Sequence, residues 1–286
     1  MILLAASCGN DTEVVNEEQA LTAPVSVHVN DFAFSVEPFA QTRATAVADY
    51  SGINALTLAF YKSDNTQQYK TTQLKNTPST YTTTFGDFNL SLPMGSYTMV
   101  VLAYYSIENS PLTLTSPTEA SYTGAHAMET FAATQTVHIT STNAVDISAT
   151  LNRIIAQLTV ISSDGRAEGA SKVRMTFSGG SRNFSPTSGL ATDNDGLTNT
   201  VNISAAVGTT SNSLTFLFLD RDEQEMDVTI ETLDADGNTL FSKKVEKVPF
   251  KRNSVTKLTG SIYTNSSIGG AFQVSTDWGS ERQVSF

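Results

Sequence analysis

Apolar and polar residues alternate with a period of two along most of the chain. The alternation is clearest in VSVHVN (25–30), ALTLAFY (55–61), KVRMTF (172–177), DVTIETL (227–233) and AFQVSTDW (271–278). Because successive side chains of a strand point to opposite faces, this pattern predicts strands with one buried and one solvated face. Helical periodicity is hard to find, so the sequence predicts an all-β fold.

Turn motifs separate the predicted strands. Asp-Gly pairs occur at 164–165, 195–196 and 236–237, Gly-Gly at 179–180, and Pro-Met-Gly at 93–95. The segment IETLDADGNTLFSKKV (230–245) contains two β-type runs joined by a short loop with Asp-Gly, which predicts a hairpin. Many short strands with such turns favour β-sandwiches over a barrel enzyme.

The length and the strand pattern together predict two domains. A chain of 286 residues is long enough for two sandwich cores. The strand pattern restarts at LNRIIAQLTV (151–160), although no Pro/Gly-rich linker precedes it. We predict a tether over residues 1–23, a first sandwich over 24–150 and a second over 151–286 that includes the terminal strand. The link is then short and the two halves are in contact.

The chain is acidic, with a formal net charge of −11, and it holds one cysteine. A protein that binds nucleic acid needs a basic patch for the phosphates, so the charge argues against this class of partner. Sugars and proteins are not excluded. Because one cysteine forms no internal disulfide, stability must come from core packing and strand pairing.

No motif indicates catalysis, a cofactor or a metal. His28 and His138 alternate with valines and isoleucines, as on the polar face of a sheet. His126 and Glu129 supply two possible ligands, which is too few for a metal site. The run DNDG (193–196) begins like a calcium loop, but the remaining ligand positions do not follow, so we interpret it as a turn. We expect a protein that is not an enzyme and binds no cofactor.

The start of the chain, MILLAASC, places Cys8 after an apolar run with small residues before it. The run is too short to cross a bilayer as a helix, which takes about 20 apolar residues. Small residues before a cysteine suit a signal peptidase, and the pattern resembles a bacterial lipobox, in which the cysteine is acylated. A basic region before the apolar run is missing. The alternative is a buried or free N-terminal thiol. If Cys8 is acylated in this way, the polar residues 9–23 form a tether to a membrane.

Several segments together resemble the fimbrillin family, the subunits of type V pili of Gram-negative anaerobes. In GINALTLAFYKSDN (52–65) and FNLSLPMGSYTMVVLAYYS (88–106), a strand ending in an aromatic residue precedes a strand-Pro-x-Gly-x-Tyr-strand hairpin. VDISATLNRIIAQLTV (145–160) resembles the junction of the two domains, and VPFKRNSVTKLTGSIYT (248–264) with GGAFQVSTDW (269–278) resembles the final strands. Each motif alone also occurs in other β-sandwich lipoproteins.

The resemblance implies two tandem transthyretin-like β-sandwich domains with a lipidated N-terminal tether. It also implies export to the outer membrane, where the lipid anchors the chain, and incorporation into a surface fibre. The implied partners are other fimbrial subunits, bound by strand exchange, and a host or bacterial surface protein or glycan. An open sheet edge accepts a donated strand through main-chain hydrogen bonds, and head-to-tail contacts that do not close produce a fibre.

Stalk subunits of the family lose their first strand to an arginine-specific protease. The segment FAQTRATAVADY (39–50) places Arg43 among small and hydroxyl residues, so a cut between Arg43 and Ala44 would remove Cys8 and the first strands. The alternative is a plain surface arginine. Anchor subunits keep both lipid and first strand, and the sequence does not decide between anchor, stalk and tip.

The C-terminal segment 271–286 is the candidate donor strand. Phe272, Val274 and Thr276 fall on one face of it, and Trp278 ends the strand. The same alternation fits an ordinary edge strand of the second domain.

Two rival functions differ in the surfaces they require. A carbohydrate-binding surface lipoprotein would show exposed aromatic side chains with polar partners for sugar hydroxyls. An accessory domain of a secreted hydrolase is a third possibility, which no feature favours. Of the pair Tyr104 and Tyr105, we expect one side chain in the core and the other in solvent.

Overall fold

The structure, a computed structural model, describes residues 20–33, 46–124, 126–264, 273–277 and 282–284, and for Asn30 and the last two ranges it describes the backbone. Within these ranges, nearly all regular structure is strand, and no helix is long and apolar enough to cross a bilayer. The strands are β1 (Thr22–Phe32), β2 (Ala55–Tyr61), β3 (Gln67–Leu74), β4 (Asp87–Pro93), β5 (Gly95–Tyr104), β6 (Leu112–Ser116), β7 (Glu119–Tyr122), β8 (Thr130–Ile139), β9 (Val145–Arg153), β10 (Ala156–Ser162), β11 (Lys172–Phe177), β12 (Asn183–Ser185), β13 (Leu190–Ala191), β14 (Leu197–Asn202), β15 (Asn212–Leu217), β16 (Glu223–Leu233), β17 (Thr239–Lys251), β18 (Val255–Gly260), β19 (Gln273–Asp277) and β20 (Arg282–Val284), and a 3-10 turn spans Pro78–Thr80.

The first half of the chain forms a sandwich. Strands β4, β1 and β9 lie side by side on one face, and β3, β2, β5 and β8 on the other. The two faces join where Phe131 and Ala132 of β8 pair with Arg153 and Asn152 of β9. One core fills the space between them, built from the alternating apolar residues Val25, Val27, Val29, Leu56, Leu58, Phe60, Phe88, Met99, Val101, Phe131, Val137, Ile147 and Leu151.

The second half packs two further sheets around a separate core. The sheet β15–β10–β18–β19–β20 faces the sheet β14–β11–β16–β17. The core between them includes Leu158, Val160, Val173, Met175, Val228, Ile230, Val248 and Leu258. The predicted hairpin around Asp236-Gly237 is confirmed, because β16 and β17 pair along their length and Gly237 has a φ of +91°, which favours glycine. The all-β prediction holds, while transthyretin-like topology stays a prediction.

A small third sheet crosses between the halves. Its order is β13–β12–β7–β6, with β7 of the first half paired to β12 of the second. It covers the outer face of β2 and β5 and encloses a third core, in which the rings of Phe184 and Phe218 stack 4.0 Å apart. All seven residues of β2 are therefore buried. The predicted polar face of ALTLAFY is wrong, because this strand is covered on both sides.

The connection between the halves is short. Strand β9 ends at Arg153 and β10 begins at Ala156, and the two isoleucines between them are buried in the third core. The predicted boundary at residues 150 and 151 falls inside β9, and the division into domains at that point stays a prediction.

The predicted hairpin around Pro93-Met94-Gly95 is wrong. Strand β4 pairs with β1, whereas β5 pairs with β2 and β8 on the other face of the sandwich. Met94 therefore lies where the chain crosses from one face of the sandwich to the other. The chain does bend at these residues, but a bend between two strands does not require that the strands pair with each other.

The direction of the strands sets the two ends of the first half. Strands β1 and β9 are parallel, with Val25 beside Val145 and Phe32 beside Leu151. Because β9 runs into the link to the second half, β1 ends near that link and begins at the opposite end of the sandwich. Residues Leu21 and Met94 lie at this opposite end, which we call the distal end.

Candidate functional site

The first strand pairs with a neighbour on each side. Strand β1 pairs antiparallel with β4, from Thr22 opposite Pro93 to His28 opposite Asp87, and parallel with β9 on its other side. Near its end, Ala33 N donates a hydrogen bond to Leu151 O at 2.8 Å. Without β1, the facing backbone groups of β4 and β9 would lose their partners, and such groups require hydrogen bonds. The space left by β1 therefore fits one extended segment, and we call it the β1 groove.

The side chains of β1 fill the core of the first half. Ala23, Val25, Val27, Val29 and Phe32 are each at most 2% exposed. Burial of a valine or phenylalanine side chain contributes about 1.5–3 kcal/mol relative to exposure. The spacing of two residues breaks once, because the register with β9 shifts between Val29 and Asp31. The groove thus has a row of pockets for small and β-branched side chains, followed by one pocket for an aromatic ring.

Polar contacts on the outer face of β1 fix its register. His28 Nδ1 lies 2.8 Å from a carboxylate oxygen of Asp87, and Ser26 Oγ donates to Asn89 Oδ1 at 3.0 Å. These side chains are partly exposed, and polar contacts between exposed side chains contribute at most about 1 kcal/mol. His28 thus lies on the polar face of the sheet, as predicted. Most of what holds β1 is the buried face and the main-chain pairing.

The end of β1 contacts a buried polar network at the link between the halves. The ring of Phe32 lies 4.4 Å from that of Phe131 and 5.2 Å from that of Tyr50. The Tyr50 hydroxyl donates to Glu129 Oε1 at 2.7 Å, and Arg153 Nε donates to the same oxygen at 2.8 Å. Burial, followed by the hydrogen bond to Glu129, raises the pKa of Tyr50 to about 12.

Arg153 extends this network to the second half. Its Nη1 donates to Asn253 Oδ1 at 3.2 Å, and its guanidinium lies 4.8 Å from the centre of the Phe131 ring. The side chains of Arg153 and Glu129 are 7% and 11% exposed, so their ion pair is buried. Arg153 lies in the segment 145–160 that resembles the junction of the two domains, whereas the sequence suggests Glu129 only as a possible metal ligand. Its partner is 24 residues away in sequence, and no local pattern indicates that pairing.

Several predicted site residues fall outside the described ranges: Cys8, Arg43, Ala44, Phe272 and Trp278. The backbone of Val274 and Thr276 lies in β19, opposite Leu258 and Thr256 of β18. Strand β20 pairs with the other side of β19. The terminal segment thus belongs to the sheet of its own second half, and its role as a donor stays a prediction.

The metal and calcium readings find no new support. In the part of the chain that the structure describes, no three His, Cys, Asp or Glu side chains cluster as metal ligands do. Asp193 accepts a hydrogen bond from Asn183 Nδ2 at 2.7 Å, and Asn194 Oδ1 accepts one from Gly180 N at 2.6 Å. The carboxylate and amide therefore stabilise a turn, with Gly196 at a φ of +82°.

A cleft of about 620 Å³ opens between the halves beside this network. Two ion pairs line it, Arg252 with Asp222 at 2.6 Å and Lys251 with Glu223 at 2.8 Å. Its other polar groups include Thr134, Asn152, Thr187, Ser188 and Asn253, and none of the lining residues is aromatic. Within the described ranges, Tyr105 is the one aromatic residue with a largely exposed side chain, and Tyr104 is buried, as predicted for this pair.

The sequence model of one family matches residues 15–283, which is most of the chain. Its description is "Family of unknown function (DUF6562)". The chain belongs to this family. No curated protein is similar enough in sequence to match.

Solved structures share the fold of this DUF6562 member at low sequence identity. A candidate adhesin from Bacteroides ovatus is 13% identical with a TM-score of 0.52, covering 92% of this chain and 96% of its own. A candidate polysaccharide-binding protein (DUF1812) from Bacteroides thetaiotaomicron is 12% identical with a TM-score of 0.52, covering 92% and 98%. The fimbrial anchor protein Mfa2 from Porphyromonas gingivalis is 11% identical with a TM-score of 0.51, covering 90% and 98%. At such identities the likeness shows a shared fold, and it agrees with the resemblance to fimbrial subunits at that level.

Proposed function

We propose that this protein is a non-enzymatic structural or adhesive subunit of bacterial surface fimbriae. It is exported as an outer-membrane lipoprotein through acylation of Cys8 and assembles with other fimbrial subunits by β-strand addition. The observation that carries the proposal is the position of β1, which pairs with strands on both sides and fills the core. Fold likeness to a fimbrial anchor protein and to candidate adhesins supports it.

Strand exchange at the β1 groove follows from physical constraints. A vacant groove would expose an apolar core and two unpaired strand edges, so it favours any segment that restores both. A donor strand restores the main-chain hydrogen bonds of β4 and β9 and refills the pockets of Val25, Val27 and Val29. When each subunit accepts a strand from the next, the contacts are head-to-tail and produce a fibre.

The predicted cleavage site suits this mechanism by its place in the chain. Arg43 lies between Phe32, where β1 ends, and Ala46, which forms a β-bridge with Asp31. A cut after Arg43 would leave β1 attached only by its pairing and packing. Cys8 and the lipid would leave with it, whereas an uncut chain would keep both. The two outcomes correspond to a stalk subunit and an anchor subunit.

Two measurements on the native protein test the proposal. Intact mass and N-terminal sequencing of the protein from outer membranes report acyl chains on Cys8 or a start at Ala44. Treatment with an arginine-specific protease, with partner subunits present, should convert monomers to oligomers that resist mild detergent. Arg43→Lys keeps the charge but removes the cleavage site, so this variant should stay monomeric. A cut chain that remains monomeric, together with an unacylated native chain, would refute the proposal.

One observation favours a second candidate function, the binding of a surface carbohydrate. The cleft between the halves has the volume of a small-molecule site and a mostly hydrogen-bonding lining. Each of its charged side chains is in an ion pair, which suits a neutral polar ligand. Calorimetric titration with surface glycans tests this function, and Asn253→Ala should weaken a signal that arises from the cleft. If no glycan gives a binding signal, the carbohydrate-binding function is refuted and the fimbrial function remains as the proposal.

A further inference from the structure

An apolar pair projects from the distal end of the first half. Met94 N donates a hydrogen bond to Leu21 O at 2.9 Å, which continues the β1–β4 register one step beyond Thr22 and Pro93. Directly opposed residues of an antiparallel pair point to the same face, so Leu21 and Met94 lie side by side. The two side chains are 65% and 44% exposed.

This pair extends the buried face of the sheet beyond the core. The next pair on the same face is Ala23 with Leu92, and both residues are buried. At this end the facing sheet contributes Tyr97, whose hydroxyl donates to Pro93 O at 2.8 Å. The exposure of Leu21 and Met94 shows that the facing sheet ends before it covers them. Single exposed apolar residues are common on protein surfaces, but a pair that continues a core face is a local patch.

The described segments around the pair carry no net charge. The chain segments at this end are residues 20–22, 62–66, 93–96 and 140–144, because Tyr61 pairs with Thr98 and Gly95 with Ile139. Among these segments, only Lys62 and Asp64 carry charges, and their signs cancel. The whole chain has a net charge of −11. The tether between Cys8 and Leu21 adds four acidic residues and no basic one, so we expect the contact on a lipid surface without net charge, where these carboxylates are not repelled.

The chain that precedes the pair keeps it within reach of a lipid attached to Cys8. Cys8 lies thirteen positions before Leu21, and a fully extended tether of this length spans at most about 45 Å. The distal end faces away from the second half, which is joined at the other end of β9. We infer that Leu21 and Met94 rest on the lipid surface when the protein is anchored through Cys8. This inference rests on the lipid anchor of the proposed function.

The contact positions the protein and does not anchor it. Two side chains contribute little compared with the acyl chains on Cys8, which supply about 0.8 kcal/mol per buried methylene. Their effect is to hold the first half upright, with the second half and the cleft directed outward. A chain cut after Arg43 loses Leu21 together with β1 and therefore loses this contact.

Depth-dependent quenching tests the inference independently of acylation. The full chain with Cys8→Ser carries a histidine tag before Met1 and is held on phosphatidylcholine vesicles that contain nickel-chelating lipid. A fluorophore is attached at Met94→Cys or at the control position Leu240→Cys, which lies in the second half with a similar exposure of 47%. Nitroxide-labelled lipid should quench the label at 94 about threefold more than the label at 240, because interfacial side chains enter about 5–10 Å into the headgroup region.

The outcomes separate the inference from the proposed function. Equal quenching at both positions would overturn the lipid contact. A label at 94 that is shielded before vesicles are added would also overturn it, because a second copy of the chain would then cover the pair. Adding Leu21→Glu should reduce quenching at 94 to the level of the control. An unacylated Cys8 in the native protein would refute the anchor, while the vesicle result would still decide whether the pair contacts lipid.

Discussion

Replacement of Val27 by alanine measures how firmly β1 is built into the first half. The side chain is fully buried, and its neighbours across the two pairings are Phe88 of β4 and Ile147 of β9. Val27→Ala removes two carbon atoms, whose transfer contributes about 1.6 kcal/mol at about 0.8 kcal/mol each. The cavity that remains adds to this loss, so we expect a total destabilisation of about 2–3 kcal/mol. This range corresponds to a factor of about 30 to 150 in the equilibrium constant for unfolding of the first half.

Hydrogen exchange read by mass spectrometry reports this loss in the correct half of the protein. Peptides from β4 and β5 belong to the first core, so their exchange should become about 30-fold to 150-fold faster in Val27→Ala. Peptides from β11 and β16, in the second core, should change much less. Ser26→Ala is the matched control, because Ser26 is the adjacent residue and its hydroxyl is on the exposed face. Its effect should stay within about 0.5 kcal/mol.

The reasoning fails if Val27→Ala exchanges no faster than Ser26→Ala. Such a result would mean that β1 does not occupy its groove in solution, and the strand would then have no part in holding the core. The proposal of strand exchange at this position would lose its main support.

Three further comparisons test the link, the turns and the half-buried Tyr50. Arg153→Ala should lower the free energy of unfolding by about 3–5 kcal/mol in urea titration, because it leaves the buried carboxylate of Glu129 without its cation. Arg174→Ala breaks a more exposed ion pair and should lower the free energy of unfolding by no more than about 1 kcal/mol. Equal losses in the two variants would contradict this reasoning. Gly196→Ala should lower the thermal midpoint more than Gly237→Ala: both have positive φ, but a Cβ at 196 would lie 2.4 Å from a backbone oxygen whereas at 237 it meets nothing within 4 Å. The pKa of Tyr50 rises from 10.0 to about 12 on folding, so the contribution of the neutral phenol to stability is complete below pH 10 and is lost as the pH rises through 12. Tyr50→Phe should therefore reduce the fall in stability between pH 10 and pH 12. A variant whose stability falls as steeply over this range as that of the parent protein would argue against this assignment.

The sequence predicted most strands and few of their partners. Period-two alternation located β1, β11 and β16, and the Asp-Gly pair located the hairpin of β16 and β17, because side-chain direction and turn conformation depend on adjacent residues. The Pro-Met-Gly turn was found as well, yet the strands on its two sides belong to different faces of the sandwich. Nothing in the local pattern distinguishes a turn within one sheet from a crossing between two.

The candidate site divides in the same way. Alternation in VSVHVN indicated a buried face for Val25, Val27 and Val29, but not a place between β4 and β9. The network of Glu129 and Arg153 with Tyr50 was not predicted, since its members come from separate segments whose approach depends on the whole fold. The resemblance to a family, and not the alternation, suggested that the first strand is exchanged.

By itself, the sequence determined the strand content, the apolar face of most strands, the acidic charge and a cysteine preceded by small residues. The tertiary structure decided that β1 pairs with a neighbour on each side, that β2 is buried on both faces, that a sheet joins the halves, and that Leu21 and Met94 overhang the core. The physical reason is the range of the interactions. Alternation and turns are set by a few adjacent residues, whereas strand order depends on pairing between distant segments, such as Val25 with Val145, whose free energy is realised only when the complete core forms.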